Sequence, residues 1–145
     1  MPRLFPARPA IAAGALVLLL FVTRTTPAEN ASHSRDWKAP TRAASTTNPI
    51  RADDRSLAAG KGIYLKECAA CHGETGRGNG PDAANLSRQP PDFAAPLIRQ
   101  QTDGEFFWKI TEGKKPMPRF ARSLNDEQRW HLVNYIRSFP SNAEK

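Results

Sequence analysis

The sequence predicts an all-α fold of three to five short helices joined by long loops. Three observations carry this. Apolar residues recur at intervals of three and four over 57–68 and again over 132–139. Two helix-start signatures, Thr102 with Glu105 and Asn125 with Gln128, pair a capping side chain with a Glu or Gln three residues on. No stretch alternates apolar and polar residues convincingly, and no internal repeat is present. Thirteen prolines and nine glycines in 145 residues argue for loops rather than a regular bundle.

The elements follow in chain order. Arg3 and Arg8 precede thirteen apolar or small residues, Ala10 to Val22, and Arg24 ends the run. A helix of that length spans about 20 Å, short of the ~30 Å hydrocarbon core. Residues 1–28 therefore read as a signal peptide, cleaved after Thr26-Pro27-Ala28, or as a retained N-terminal membrane anchor. Residues 29–52 are rich in Ser, Thr, Pro, Asn and Ala and have no sustained period, so they read as a flexible tether. Trp37 and Ile50 are the residues of that stretch suited to docking, and His33 reads as solvated.

From Asp53 the character changes, and 53–145 reads as one domain. Leu57, Gly60, Ile63, Tyr64 and Cys68 give residues 53–71 one apolar side, with Asp53 and Asp54 at the helix start, where anions are favoured. Residues 73–101, interrupted by Gly and Pro, form a long structured loop of the kind that usually carries function. A short helix starts at Thr102 and stops at Gly113. Lys114 to Ser123 is a loop. The last helix is capped by Asn125, carries Leu132, Tyr135, Ile136 and Phe139 on one face, and ends before Pro140.

Composition excludes several classes. At 39% apolar residues the chain is no multi-span membrane protein, and two cysteines cannot build a disulfide scaffold. The net charge is +7, yet residues 1–28 hold three arginines and no acid. The remainder carries 18 basic residues interleaved with 14 acidic ones, which is no nucleic-acid stripe.

Cys68-Ala69-Ala70-Cys71-His72 is the decisive segment, because C-x-x-C-H is the attachment motif of c-type haem. At i and i+3 the two thiols share one side of a helix end, so each can form a thioether to one vinyl group. His72 then presents its imidazole to the iron as proximal ligand. The cysteines are consumed in that way and form no disulfide. Three other readings stay open on the motif alone. A thioredoxin-like redox pair expects a βαβ context, a zinc site needs four ligands, and the match could be accidental.

The span from Asp53 to Phe139 resembles the class I cytochrome c domain, the single-haem bacterial kind. Gly60 and Tyr64 match the family's small and aromatic pair on the first helix, and Tyr135 with Leu132 matches their partner on the last. Gly78-Asn79-Gly80-Pro81 resembles the loop after the haem motif. The resemblance implies an all-α class I fold around one covalent haem c. It implies that the Pro81 carbonyl accepts the Nδ1–H of His72, orienting the ring. It also implies that Met117, 45 residues after His72 and flanked by Pro116 and Pro118, is the distal axial ligand. His131 is the alternative ligand. Phe93, Phe106, Phe107, Trp108, Phe120 and Trp130 are expected as cleft or core walls, with Trp108 as the candidate for a hydrogen bond to a haem propionate.

An iron closed by His72 and Met117 leaves electron transfer, not catalysis. The expected function is a periplasmic or membrane-anchored monohaem cytochrome passing single electrons between a redox donor and acceptor, such as a dehydrogenase or terminal oxidase. Nucleic acid is not a partner, and membrane contact comes only through an uncleaved N-terminus. Lys114, Lys115, Arg119 and Arg122 form a local basic patch for an acidic partner. Two other classes compete: a haem enzyme or gas sensor in which Met117 is displaced, and a binding module without haem.

Overall fold

The structure, a computed structural model, describes residues 37–141. The expected signal or anchor, the first part of the tether with His33, and residues 142–145 lie outside that span. The described chain forms α1 (Thr41–Ala44), α2 (Asp54–Glu67), α3 (Ala69–His72), a 3-10 turn (Ala83–Asn85), α4 (Pro96–Arg99), α5 (Asp103–Glu112) and α6 (Asp126–Arg137). No β-strand occurs among the described residues; Lys114 and Met117 form an isolated bridge. Three of the helices are single turns, and the three longer ones are those the apolar spacing predicts.

Helix ends follow the sequence closely. Asp53 caps α2 by accepting from the Ser56 N–H at 2.9 Å. Thr102 and Asn125 each form a complete capping box, with Glu105 and Gln128. Such caps satisfy N–H groups that have no partner within the helix, each contributing about 1 kcal/mol. One expectation changes: residues 53–71 are not one helix. Cys68, with φ −124°, breaks the run and starts the short α3. The break turns the motif out of the α2 axis.

The fold is organised by the crossing of α2 over α6. At Gly60 a Cβ would overlap the His131 carbonyl oxygen and crowd the Tyr135 Cβ, so only glycine permits this approach. Tyr64 fills the crossing: it is fully buried, its ring lies 5.3 Å from both Tyr135 and Phe139, and its hydroxyl donates to the Gly73 carbonyl at 2.7 Å. Leu132, Val133 and Ile136 complete the packed face of α6. Two arginines pin α4 to the end of α6. Arg99 donates to the Arg137 and Phe139 carbonyls, while Arg137 donates back to the Arg99 carbonyl and pairs with Asp103 at 2.7 Å.

Residues 37–52, expected within a flexible tether, lie on the domain. Asn48 donates to Asn134 Oδ1 at 2.7 Å, and Asn134 donates to the Ile50 carbonyl and to Ser56 Oγ. The Thr102 hydroxyl donates to the Ala44 carbonyl at 2.8 Å. Of these, the Asn134–Ser56 bond is buried and satisfies polar groups that would otherwise cost about 1–3 kcal/mol. Composition alone reads such a segment as a linker, because its attachments are single long-range hydrogen bonds.

Candidate haem cleft

Among the described residues the long loops and short helices leave a cleft with mainly apolar walls, open on one side. Cys68, Cys71, His72 and Met117 all line it. Four candidates separated by up to 49 positions in sequence thus meet at one cavity. Both cysteines are free, as thioether attachment requires.

Each is placed by its element. Cys68 is the N-cap of α3, Cys71 its third residue and His72 its last. The His72 ring stacks on Phe93 with 4.8 Å between centroids and 12° between planes. Burial lowers the His72 pKa to about 4, which keeps the ring neutral, the form that binds a metal. Met117 sits in a tight turn after α5. Lys114 and Met117 exchange backbone hydrogen bonds at 2.9 and 3.1 Å, and the Phe120 N–H returns to the Ile110 carbonyl. The Lys115–Pro116 peptide bond is cis. Phe93, Ile98, Phe106, Phe120 and Leu132 supply apolar walls.

The competing readings of the cysteines fit this site poorly. Burial, then the charge of Glu67, pushes the Cys68 thiol up to about 12, whereas a redox-active C-x-x-C pair needs a lowered pKa. Among the described residues no three His, Cys, Asp or Glu side chains gather closely enough to hold a metal ion. An apolar cleft with two thiols, an imidazole and a thioether fits haem instead.

Three expected contacts differ. His72 Nδ1 is a buried polar atom without a hydrogen-bond partner, so the bond to the Pro81 carbonyl is not formed. The loop before Pro81 is held by other bonds, Gly78 N–H to the His72 carbonyl and Gly80 N–H to the Cys71 carbonyl, and the imidazole lies flat on Phe93. Trp108 does not line the cleft. On α5 the cleft is lined by Phe106, Lys109 and Ile110, at i, i+3 and i+4; position 108 is about 200° round the helix from 106 and meets Trp37, 6.3 Å away. His131, the alternative ligand, lies outside the cleft lining. Its side chain is 16% exposed, with Nδ1 2.8 Å from Ser56 Oγ and Nε2 3.6 Å from Glu127. Phe107 and Trp130 lie outside the cleft lining but belong with the core, as expected of core walls, stacked on each other at 4.0 Å.

Sequence reasoning missed Trp37, Arg88 and Lys109, which do line the cleft. The only available signals were an aromatic residue isolated in a polar stretch and a lysine three positions after Phe106.

Short helices folded round a single apolar cleft, with a C-x-x-C-H turn opening into it, define a class I c-type cytochrome domain. Residues 55–136 match the family described as cytochrome c oxidase, cbb3-type, subunit III, and the chain belongs to that family. It therefore binds haem c covalently and works in electron transfer. The chain is 26% identical over 87 residues to the cytochrome bc1 complex cytochrome c subunit of Corynebacterium diphtheriae, covering 59% of this chain and 28% of that one. It is similar to a solved chain of the reducing HAO-like protein complex Kustc0457/Kustc0458 of Kuenenia stuttgartiensis. That match has a TM-score of 0.60 and 31% identity and covers 75% of this chain and 55% of that one. The c-type cytochrome KustC0563 is 29% identical, with 57% of this chain and 98% of that one covered and a TM-score of 0.49. The chain thus spans little more than a quarter of the first relative's length and about half of the second's.

Proposed function

We propose that this chain is an exported, monohaem electron carrier that is not itself an enzyme. The observation that carries this reading is the convergence of Cys68, Cys71, His72 and Met117 on one apolar cleft. When bound, the haem supplies a one-electron ferric/ferrous couple. Cys68 and Cys71 would hold it through thioethers, and His72 and Met117 would take the two axial positions. A thioether favours ferrous iron, so the Met117 side would raise the potential. The apolar walls would limit water at the haem, and the Met117 thioether, as a ligand, would leave no open position on the iron for a small molecule.

Partners are proposed by chemistry. Lys114, Lys115, Arg119 and Arg122 are all exposed around the Met117 turn, although Arg119 also pairs with Glu112 at 3.2 Å. A surface of that sign suits an acidic redox protein docking transiently. Two of the relatives named above belong to complexes, the cytochrome bc1 complex and the reducing HAO-like protein complex, which supports the version in which this chain serves as the electron-transfer part of a larger oxidoreductase. Export, to the periplasm or the periplasmic face of the inner membrane, rests on the basic and apolar start of the sequence and on thioether attachment being extracytoplasmic chemistry. Among the described residues no helix is long and apolar enough to cross a membrane.

The test is the absorption spectrum of the purified ferrous protein with and without carbon monoxide, alongside its intact mass. One haem's added mass and no response to carbon monoxide are expected. A carbon monoxide complex would replace this reading with a ligand-binding haem enzyme or sensor.

A further inference from the structure

The family match begins at Arg55, and what precedes it is not idle chain. Residues 37–50 run across α5 and deliver Trp37 to the lining of the haem cleft. We infer that this strap is the cleft's outer wall: Trp37 is a haem-contacting residue, and it caps Lys109 so that the ammonium faces a haem propionate. The inference rests on the haem reading above.

Four observations support it. First, the strap is built in, not draped. Gly104 is buried on α5, and a Cβ there would overlap the carbonyl oxygens of Ala43 and Thr46, so the absent side chain makes the room in which α1 lies. Second, it is anchored at its middle, by the Thr102 hydroxyl on the Ala44 carbonyl, and at its far end, by Asn134 with Asn48 and Ile50. Third, Trp37 is held between Trp108 and Lys109, whose Nζ lies 5.6 Å from the Trp37 ring centroid. A cation over an indole face is worth about 0.5–2 kcal/mol and orients both groups.

Fourth, Lys109 is an unusual lysine. It is half-buried and lines the cleft, yet its hydrogen bond goes to the neutral side-chain oxygen of Gln101 at 2.6 Å; Glu105, one turn back on α5, acts on it electrostatically but forms no ion pair with it. A partly desolvated ammonium costs free energy unless an anion faces it. A haem propionate is a carboxylate at the rim of a cofactor whose body is apolar. The cleft offers the matching pair, apolar walls inside and Lys109 with Trp37 towards one edge.

The consequence for the couple has a definite sign. Ferric haem carries one more positive charge than ferrous haem. Water admitted to its edge stabilises the ferric form, and a nearby ammonium destabilises it. Both Trp37 and Lys109 thus raise the potential.

The test uses the full-length holoprotein in four variants: Trp37→Ala, Trp37→Phe, Lys109→Gln and Gly104→Ala. Potentiometric titration reads the midpoint. Trp37→Ala and Lys109→Gln are each expected to shift the one-electron equilibrium about tenfold towards the ferric form, about 59 mV. Trp37→Phe restores the apolar wall and most of the potential. Gly104→Ala, remote from the cleft lining, displaces the strap from behind and reproduces part of the fall. A parent potential in both Trp37→Ala and Lys109→Gln overturns the inference. Should Trp37→Ala fail to load haem, Gly104→Ala and Lys109→Gln decide in the same way. If the parent chain carries no covalent haem, seen in its ferrous spectrum, the functional reading itself has failed.

Discussion

Replacing Met117 by Ala tests the proposed axial set at the scale of one side chain. Met117 lines the cleft from a turn that its own backbone bonds close, so truncating its side chain leaves the turn intact and removes only the thioether. The expected outcome is a ferrous protein that binds carbon monoxide where the parent does not, with a lower midpoint potential. Absorption spectra with potentiometry check both. Candidate residues at this scale were legible wherever chemistry demands a fixed spacing: Cys68, Cys71 and His72 fall within five positions, and Met117 is the one methionine besides Met1. Direction was not legible. Trp108 and Lys109 are adjacent in sequence, and only the rotation of α5 against the strap decides that the lysine lines the cleft while the tryptophan backs Trp37.

At the scale of elements the α2–α6 crossing is the structural keystone. It depends on Gly60, because the atom a Cβ would strike is the His131 backbone oxygen, which cannot swing aside as a side chain can. Gly60→Ala should destabilise the holoprotein by about 1–3 kcal/mol, the cost of forced overpacking. A guanidinium unfolding curve monitored at the haem band reads this, and a midpoint equal to the parent's would show that the helices part without penalty. The crossing was expected beforehand from the resemblance of Gly60 and Tyr64, and of Tyr135 with Leu132, to the class I cytochrome c pattern. The division of residues 53–71 at Cys68 was not, since nothing in the local pattern of DDRSLAAGKGIYLKECAAC marks a break.

The whole molecule is arranged around a space rather than around a solid core. Phe93, Ile98, Phe106 and Leu132 line the cleft as well as belonging to the buried cluster. A domain this small buries little apolar surface of its own, so cofactor contact completes the core. A Cys68→Ser/Cys71→Ser chain, unable to attach haem, should lose cooperative thermal unfolding and near-ultraviolet circular dichroism signal. A compact apo form with a sharp transition would contradict this. Association belongs to the same scale. If the basic surface round the Met117 turn docks an acidic donor, stopped-flow electron-transfer rates should fall as ionic strength rises. A salt-independent rate would remove that surface from the docking account.

The amino-acid sequence by itself determined the all-α class, the three longer helices with their starts, and which residues are candidates to attach haem and ligate its iron. Each of these depends on interactions within about one helical turn or on a motif of fixed spacing, so neighbouring residues carry the information. Tertiary structure alone decided that residues 37–50 lie along α5, that Trp37 rather than Trp108 reaches the cleft, and that the His72 imidazole rests on Phe93 without a bond to Pro81. Those outcomes turn on which helix faces meet and on single hydrogen bonds between residues as far apart as Asn48 and Asn134. No local periodicity encodes such distances; they are set when the α2–α6 crossing closes and fixes every loop relative to it.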